Sequence, residues 1–235
     1  MIPPLIVRRA TELGLNLIAI TDHHSVENVE AVQEAARPYG IAVLPGMEVQ
    51  TREEVHVVCL FDSLDQAWQW QEMIWTHLPQ LPNREEFFGA QYVVDMSGEY
   101  ARTNERLLQT STDLSFDQVM HLADECGGLP IPAHVDRMRN SLFANLGIIP
   151  DGVTMAGAEI SRNTTPEEAR HRFPALRGVG LVQSGDAHRL QEMINTVILT
   201  VSGRTVREVR LALLGQEGRG VVVTSRHFYS EQSTK

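Results

Sequence analysis

Cysteine is nearly absent from this chain. Two residues, Cys59 and Cys126, among 235 cannot build a disulfide framework or a zinc ribbon. Both sit in apolar stretches, where a buried reduced thiol is expected, and with it a cytoplasmic location. Long apolar runs are missing too: Leu15 to Ile20, with Asn16 inside, falls far short of the roughly 20 residues of a membrane span. No secretory leader opens the chain, because Met1-Ile2-Pro3-Pro4 has neither a basic n-region nor an apolar h-region. Basic residues are outnumbered, Lys+Arg 20 against Asp+Glu 30, for a net charge of −10. That balance argues against membrane binding and against strong nucleic-acid binding, although a local cationic or metal-lined site could still hold a phosphate. There is no internal repeat, no low-complexity segment, and no Gly-rich phosphate loop after the first strand, which weakens the case for a nucleotide-binding doubly wound fold.

What is present alternates helix and strand. Pro3-Pro4 opens a helix that Gly14 closes, and Leu15 to Ile20 reads as a strand ending in Thr21-Asp22-His23-His24. Ser25 is expected to cap a helix running to Pro38-Tyr39-Gly40. Ile41 to Leu44 and Val55 to Phe61 read as strands, the second apolar on both faces and so covered on two sides. A helix from Leu64 to His77 follows. Residues 79 to 112 form an irregular excursion with a possible strand at Gln91 to Asp95. Alternation resumes with strands at Leu129 to Val135, Ala156 to Ile160, Gly180 to Ser184, Thr196 to Val201 and Val221 to Thr224. Capping boxes start helices at Ser115, Thr165 and Thr205. This pattern predicts a parallel sheet or barrel of class α/β, in one domain over residues 1–229 with a frayed tail at 230–235.

The metal-ligand types recur at strand ends. His23 follows the first strand and Glu48 the second. His56 lies in the third, His134 ends the Leu129–Ala133 strand, and Asp186 and His188 follow Gly180–Ser184. In a β/α barrel the strand ends share one face, where active sites are built. Imidazoles and carboxylates together suit zinc, manganese or iron. Each residue alone has an ordinary explanation as a cap, a surface turn or a satisfied core histidine; their shared position relative to successive strands argues for a site. His77, His121, His171 and His227 lack that placement. Arg52, Arg137, Arg162 and Arg189 each fall shortly past a strand end, and guanidinium groups grip phosphate through bidentate hydrogen bonds.

Thr21-Asp22-His23, Pro45-Gly46-Met47-Glu48 with Glu54-Val55-His56, Ala133-His134-Val135-Asp136-Arg137 and Gly185-Asp186-Ala187-His188 resemble motifs of the PHP family, the polymerase and histidinol phosphatase domain of metal-dependent phosphoesterases. The resemblance runs from Pro3 to about Val201. It implies a distorted (β/α)7 TIM-like barrel holding two or three divalent ions. By motif, Glu48 would bridge metals, His56 and His134 would ligate one with it, Asp186 another, and His23 and His188 a third. Glu48, His134 and Arg137 would carry catalysis. The family opens with a strand bearing His-x-His, and Met1 stands just before the helix that follows it. The expectation is therefore a barrel short of its first strand, through a late start. The implied activity is hydrolysis of a small phosphomonoester, histidinol phosphate among the candidates, or of a nucleotide-type phosphodiester by metal-activated water. The alternative is a non-catalytic scaffold with a partial metal site. Substrate, metal identity and oligomeric state are not legible.

Overall fold

The computed structural model describes residues 1–224, so the tail expected at 230–235 lies outside the described residues. Helix α1 (Pro3–Glu12) carries proline in its first turn, where a missing N–H breaks no helical bond. Strand β1 (Leu17–Ile20) follows, then α2 (Val29–Ala36), β2 (Ala42–Gln50), β3 (His56–Leu60) and α3 (Leu64–Thr76). Asn28, not Ser25, stands at the start of α2; the Ser25 hydroxyl instead donates to Glu27. The excursion contains a short α4 (Glu85–Phe88) and a hairpin, β4 (Tyr92–Val94) with β5 (Tyr100–Thr103). Then come α5 (Phe116–Glu125), β6 (Leu129–Pro132), α6 (Leu142–Asn145), β7 (Gly157–Ser161), α7 (Pro166–Arg172), β8 (Gly180–Ser184), β9 (Val197–Thr200), α8 (Val206–Leu214) and β10 (Gly220–Val223). Reciprocal capping boxes at Ser115 and Thr165 start α5 and α7, and Ser63 with Gln66 forms another at α3. At α8 the Thr205 hydroxyl caps as expected, but the Glu208 carboxylate turns instead to Ser202 N–H and Arg219.

The sheet differs from the expected parallel barrel. Strands β1, β2, β3 and β6 form one sheet in that order, with β7–β8, β9–β10 and β4–β5 as separate pairs. The β1–β2 and β7–β8 pairs are parallel, but β3 runs antiparallel to both β2 and β6. The cause is the short Thr51–Val55 connection, which can close only an antiparallel hairpin. Pro130 and Pro132 lie on β6, the edge of the four-stranded sheet, where prolines without an N–H are tolerated. Among the described residues the strands do not close into a barrel: β1 and β8 each pair on one side only. Both line a cavity of about 1280 Å³.

The main core lies under the β3 face carrying Val57, Cys59 and Phe61, packed by Trp70 and Ile74 of α3 and Val119 and Ala123 of α5. The other face of the sheet, with Leu44, Leu60 and Ile131, is covered by Val206, Val209 and Leu213 of α8. β3 is thus covered on both faces, as its apolar sequence requires. Truncating a fully buried Trp70 would cost about 3–5 kcal/mol. Cys59 is buried and Cys126 is exposed; Cys126 caps the end of α5 just before the Gly127 turn, so only one thiol is buried as expected.

Candidate metal centre

Glu48 is the hub of the cluster. Strand β2 continues past the end of β1, where Glu48 N–H donates to the Asp22 carbonyl at 3.2 Å and His24 N–H to the Glu48 carbonyl at 3.0 Å. That bridge holds His23 beside Glu48. The approach requires Gly46, since a Cβ there would lie 2.8 Å from Thr21 Cγ2 and 2.9 Å from Leu60 Cδ2. The β2–β3 hairpin pairs Gln50 with His56 and so returns His56 to the same end of the sheet. An antiparallel strand thus presents its beginning where its neighbours present their ends. Ala133 N–H donates to the His56 carbonyl at 3.0 Å and extends the β3–β6 ladder, while His56 N–H donates to the Asn140 carbonyl at 3.1 Å; His134 follows Ala133, two residues past the end of β6.

Three imidazoles meet the one carboxylate. His56 Nδ1 is 3.0 Å and His134 Nε2 3.3 Å from Glu48 Oε1, and His23 Nε2 is 3.6 Å from Oε2. One ligand atom each from His23, Glu48 and His56 lies within 4.8 Å of the others. Burial would push the Glu48 carboxyl up, but His134, His56 and His23 hold it well below the usual carboxylate range. Burial lowers His23 despite the pull of Glu48. An ionised carboxylate beside a neutral imidazole is the protonation state that metal binding requires. His134 Nδ1 is buried without a hydrogen-bond partner, although buried polar atoms are nearly always satisfied. The donor set and this orphaned nitrogen both fit a divalent ion.

A second group contributes Asp186 and His188 to the cavity that His23 and Glu48 line. Asp186 takes an ion pair from Arg137, and His188 Nδ1 lies 3.6 Å from its Oδ1. Asp136 anchors this side. Its buried carboxylate accepts from Ser161 N–H at 2.7 Å, Ser161 Oγ at 2.6 Å and Thr164 Oγ1 at 2.6 Å. Burial opposes its ionisation, and these hydrogen bonds prevail and lower its pKa. His134 and Asp186 adopt left-handed backbone, with φ of 31° and 43°, which costs about 1–2 kcal/mol for a residue with a Cβ. Strain of this kind concentrates at functional sites.

His23, Glu48, His56 and His134 therefore form one cluster, and Asp186, His188 and Arg137 a second on the same cavity mouth, which His23, Glu48, Asp186 and His188 line. The structure does not bring Arg52, Arg162 or Arg189 to either group. Arg52 is exposed and pairs with its neighbour Glu53; Arg162 and Arg189 are exposed. Their strand-end positions place their backbones correctly, but long exposed side chains follow solvent. Two features escaped sequence reasoning. Glu159, buried on β7, lines the cavity, and burial together with Glu48 and Asp186 pushes it up to about 8. Its signal was an acidic residue between Ala158 and Ile160 in an apolar strand. His24 is a structural histidine: its ring is fully buried, Nδ1 2.7 Å from the Leu108 carbonyl and Nε2 accepting from Gln50 N–H at 2.9 Å.

Comparison with known proteins gives this geometry a family. A 5'-3' exoribonuclease of Haemophilus influenzae is 34% identical over 65 residues, 26% of this chain and 24% of that protein. The fold matches a lesion-specific endonuclease Q of Pyrococcus furiosus with TM-score 0.68 and 19% identity, over 94% of this chain and 53% of that one. A second endonuclease Q structure, matching with the same TM-score, holds a 27-mer duplex with an abasic lesion at its active site. A Bifidobacterium adolescentis protein classed as a metal-dependent phosphoesterase matches with TM-score 0.54 and 17% identity over 80% of this chain and 82% of that one. The chain thus spans about half the length of the endonuclease and a quarter of the exoribonuclease.

These findings correct one expectation. A small phosphorylated substrate with no strong nucleic-acid binding does not stand against a fold whose relatives include one with duplex DNA in its active site. A net charge of −10 is a sum over the whole surface and does not by itself decide what one cleft holds. Residues 3–140 match the PHP domain family, and because this is more than half of the chain, the chain belongs to that family.

Proposed function

We propose that this chain is a metal-dependent hydrolase of phosphodiester bonds in nucleic acid. The observation that carries the reading is Glu48 with three imidazoles on one carboxylate at the mouth of a cavity of about 1280 Å³. His23, Glu48, His56, His134, Asp186 and His188 would hold divalent ions, with zinc, manganese and iron the candidates for this mixed nitrogen and oxygen set. Bound there, a metal lowers the pKa of a water and polarises phosphoryl oxygens. Arg137, held by Asp186, would bind a substrate phosphate by charge-assisted hydrogen bonds. Asp136 fixes the loop between His134 and Arg137, so that imidazole and guanidinium keep their spacing.

Nucleic acid is favoured by the hairpin at the cavity rim as well as by the relatives. Tyr92 lines the cavity. It is 59% exposed and meets Tyr100, 63% exposed, edge to face at 5.8 Å. Exposed aromatics of this kind stack bases without sequence preference. The hairpin is tied to the metal side through Asn28, whose Nδ2 contacts both the Tyr92 carbonyl at 3.2 Å and Asp22 Oδ2 at 3.3 Å.

The test is cleavage of end-labelled single-stranded RNA and DNA, and of an abasic duplex, with added manganese or zinc. Cleavage abolished in Glu48→Gln is the expected result. A wild type that binds metal yet leaves every oligonucleotide intact would give the lead to the non-catalytic scaffold.

A further inference from the structure

Alternation along β7 sends Ala158 and Ile160 into the main core and Glu159 to the opposite face, where it lines the cavity together with Glu48 and Asp186. Val135 N–H donates to the Glu159 carbonyl at 2.8 Å, so the residue stands beside His134. It is 8% exposed. Glu48 has its three histidines and Asp186 has Arg137 and His188. Among the described residues no basic side chain lies within ion-pair distance of Glu159, and the Arg137 guanidinium is taken by Asp186. A carboxylate buried without a cation is strongly unfavourable unless a cation or a proton joins it. The neighbouring His134 Nδ1 is buried without a hydrogen-bond partner.

We propose that Glu159 is a further metal-directed carboxylate, joining the Glu48 and Asp186 sides of the cleft around a divalent cation. This rests on the reading of the cleft as a metal centre. An added carboxylate shifts the donor set toward oxygen, which suits manganese, whereas the imidazoles suit zinc. Glu159 should therefore matter more for manganese than for zinc.

The experiment is calorimetric titration of chelator-stripped protein with manganese chloride and with zinc chloride, and metal content after dialysis, for the wild type and Glu159→Gln. Circular dichroism checks that the variant folds. Manganese affinity is expected to fall at least tenfold, or one equivalent to be lost, with a smaller loss for zinc. Unchanged stoichiometry and affinity for manganese would overturn the proposal while leaving the metal centre standing. A wild type that binds neither ion would overturn both. If Glu159→Gln fails to fold, Glu159→Asp keeps the charge and retracts the carboxylate by one methylene. Weakened manganese binding in that folded variant supports the assignment, and wild-type binding refutes it.

Discussion

Single residues set the site at two kinds of position, those that bear chemistry and those that permit close approach. Gly46 is of the second kind. A methyl group there meets Thr21 and Leu60 side chains below 3.0 Å, so Gly46→Ala should destabilise the fold by about 1–3 kcal/mol through overpacking. Urea unfolding would show a lowered midpoint with an unchanged slope; an unchanged midpoint would mean that β1 and β2 separate freely. Glu48 is of the first kind. Its substitution by Gln removes the charge facing three histidines while keeping the shape, so metal content should drop sharply with the circular dichroism spectrum retained. A Glu48→Gln protein with full metal content would displace Glu48 from the centre of the site. Most of the candidate ligands were legible in sequence because they sit at or near strand ends, although Glu48, expected just past a strand ending at Leu44, lies within β2 (Ala42–Gln50). Glu159 was not legible, because a lone acid within a strand points to solvent or into a cleft depending on what covers that face.

Among the elements, the β4–β5 hairpin and α8 make separable predictions. If Tyr92 and Tyr100 hold a base, Tyr92→Ala combined with Tyr100→Ala should raise KM on oligonucleotides by about tenfold or more, since base stacking contributes about 1–3 kcal/mol per base. kcat should change little, as ground and transition states lose the contact equally. Equal KM in wild type and double variant would remove the hairpin from substrate binding. At α8, Glu208 accepts from Ser202 N–H at 2.7 Å and from Arg219 Nε at 2.9 Å, and the Arg219 bond leads in lowering its pKa. A carboxylate with a depressed folded pKa stabilises the fold above its unfolded value and loses that contribution as pH falls through the folded one. Stability should therefore decline in acid below about pH 4.5, and Glu208→Gln should decline less over the same window in chemical denaturation. Identical acid profiles would show the bond to be energetically silent.

For the whole molecule, metal binding and stability should be linked. A ligand that binds only the folded state at 100 times its Kd adds about 2.7 kcal/mol, which for a chain of 235 residues is a Tm shift of about 5–10 °C. Differential scanning fluorimetry with and without a chelator measures it, and a Tm indifferent to chelator would argue against an ion in the cleft. No helix among the described residues is long and apolar enough to cross a membrane. Overall charge does not by itself fix the partners of a molecule at this scale. A sum over the surface says nothing about where aromatics and ligand groups converge.

Sequence alone determined the α/β class, most helix starts, the two-sided burial of β3 and the recurrence of His, Asp and Glu near strand ends. These follow from local rules: hydrophobic period, capping chemistry and position after a strand. Only the tertiary structure decided the antiparallel turn of β3, the open edges of β1 and β8, the pairing of Arg137 with Asp186, and the burial of Glu159. Each of these depends on which groups from distant segments share one space. Residues 48, 134, 159 and 186 meet through packing of separate strands, and no window along the chain contains that proximity.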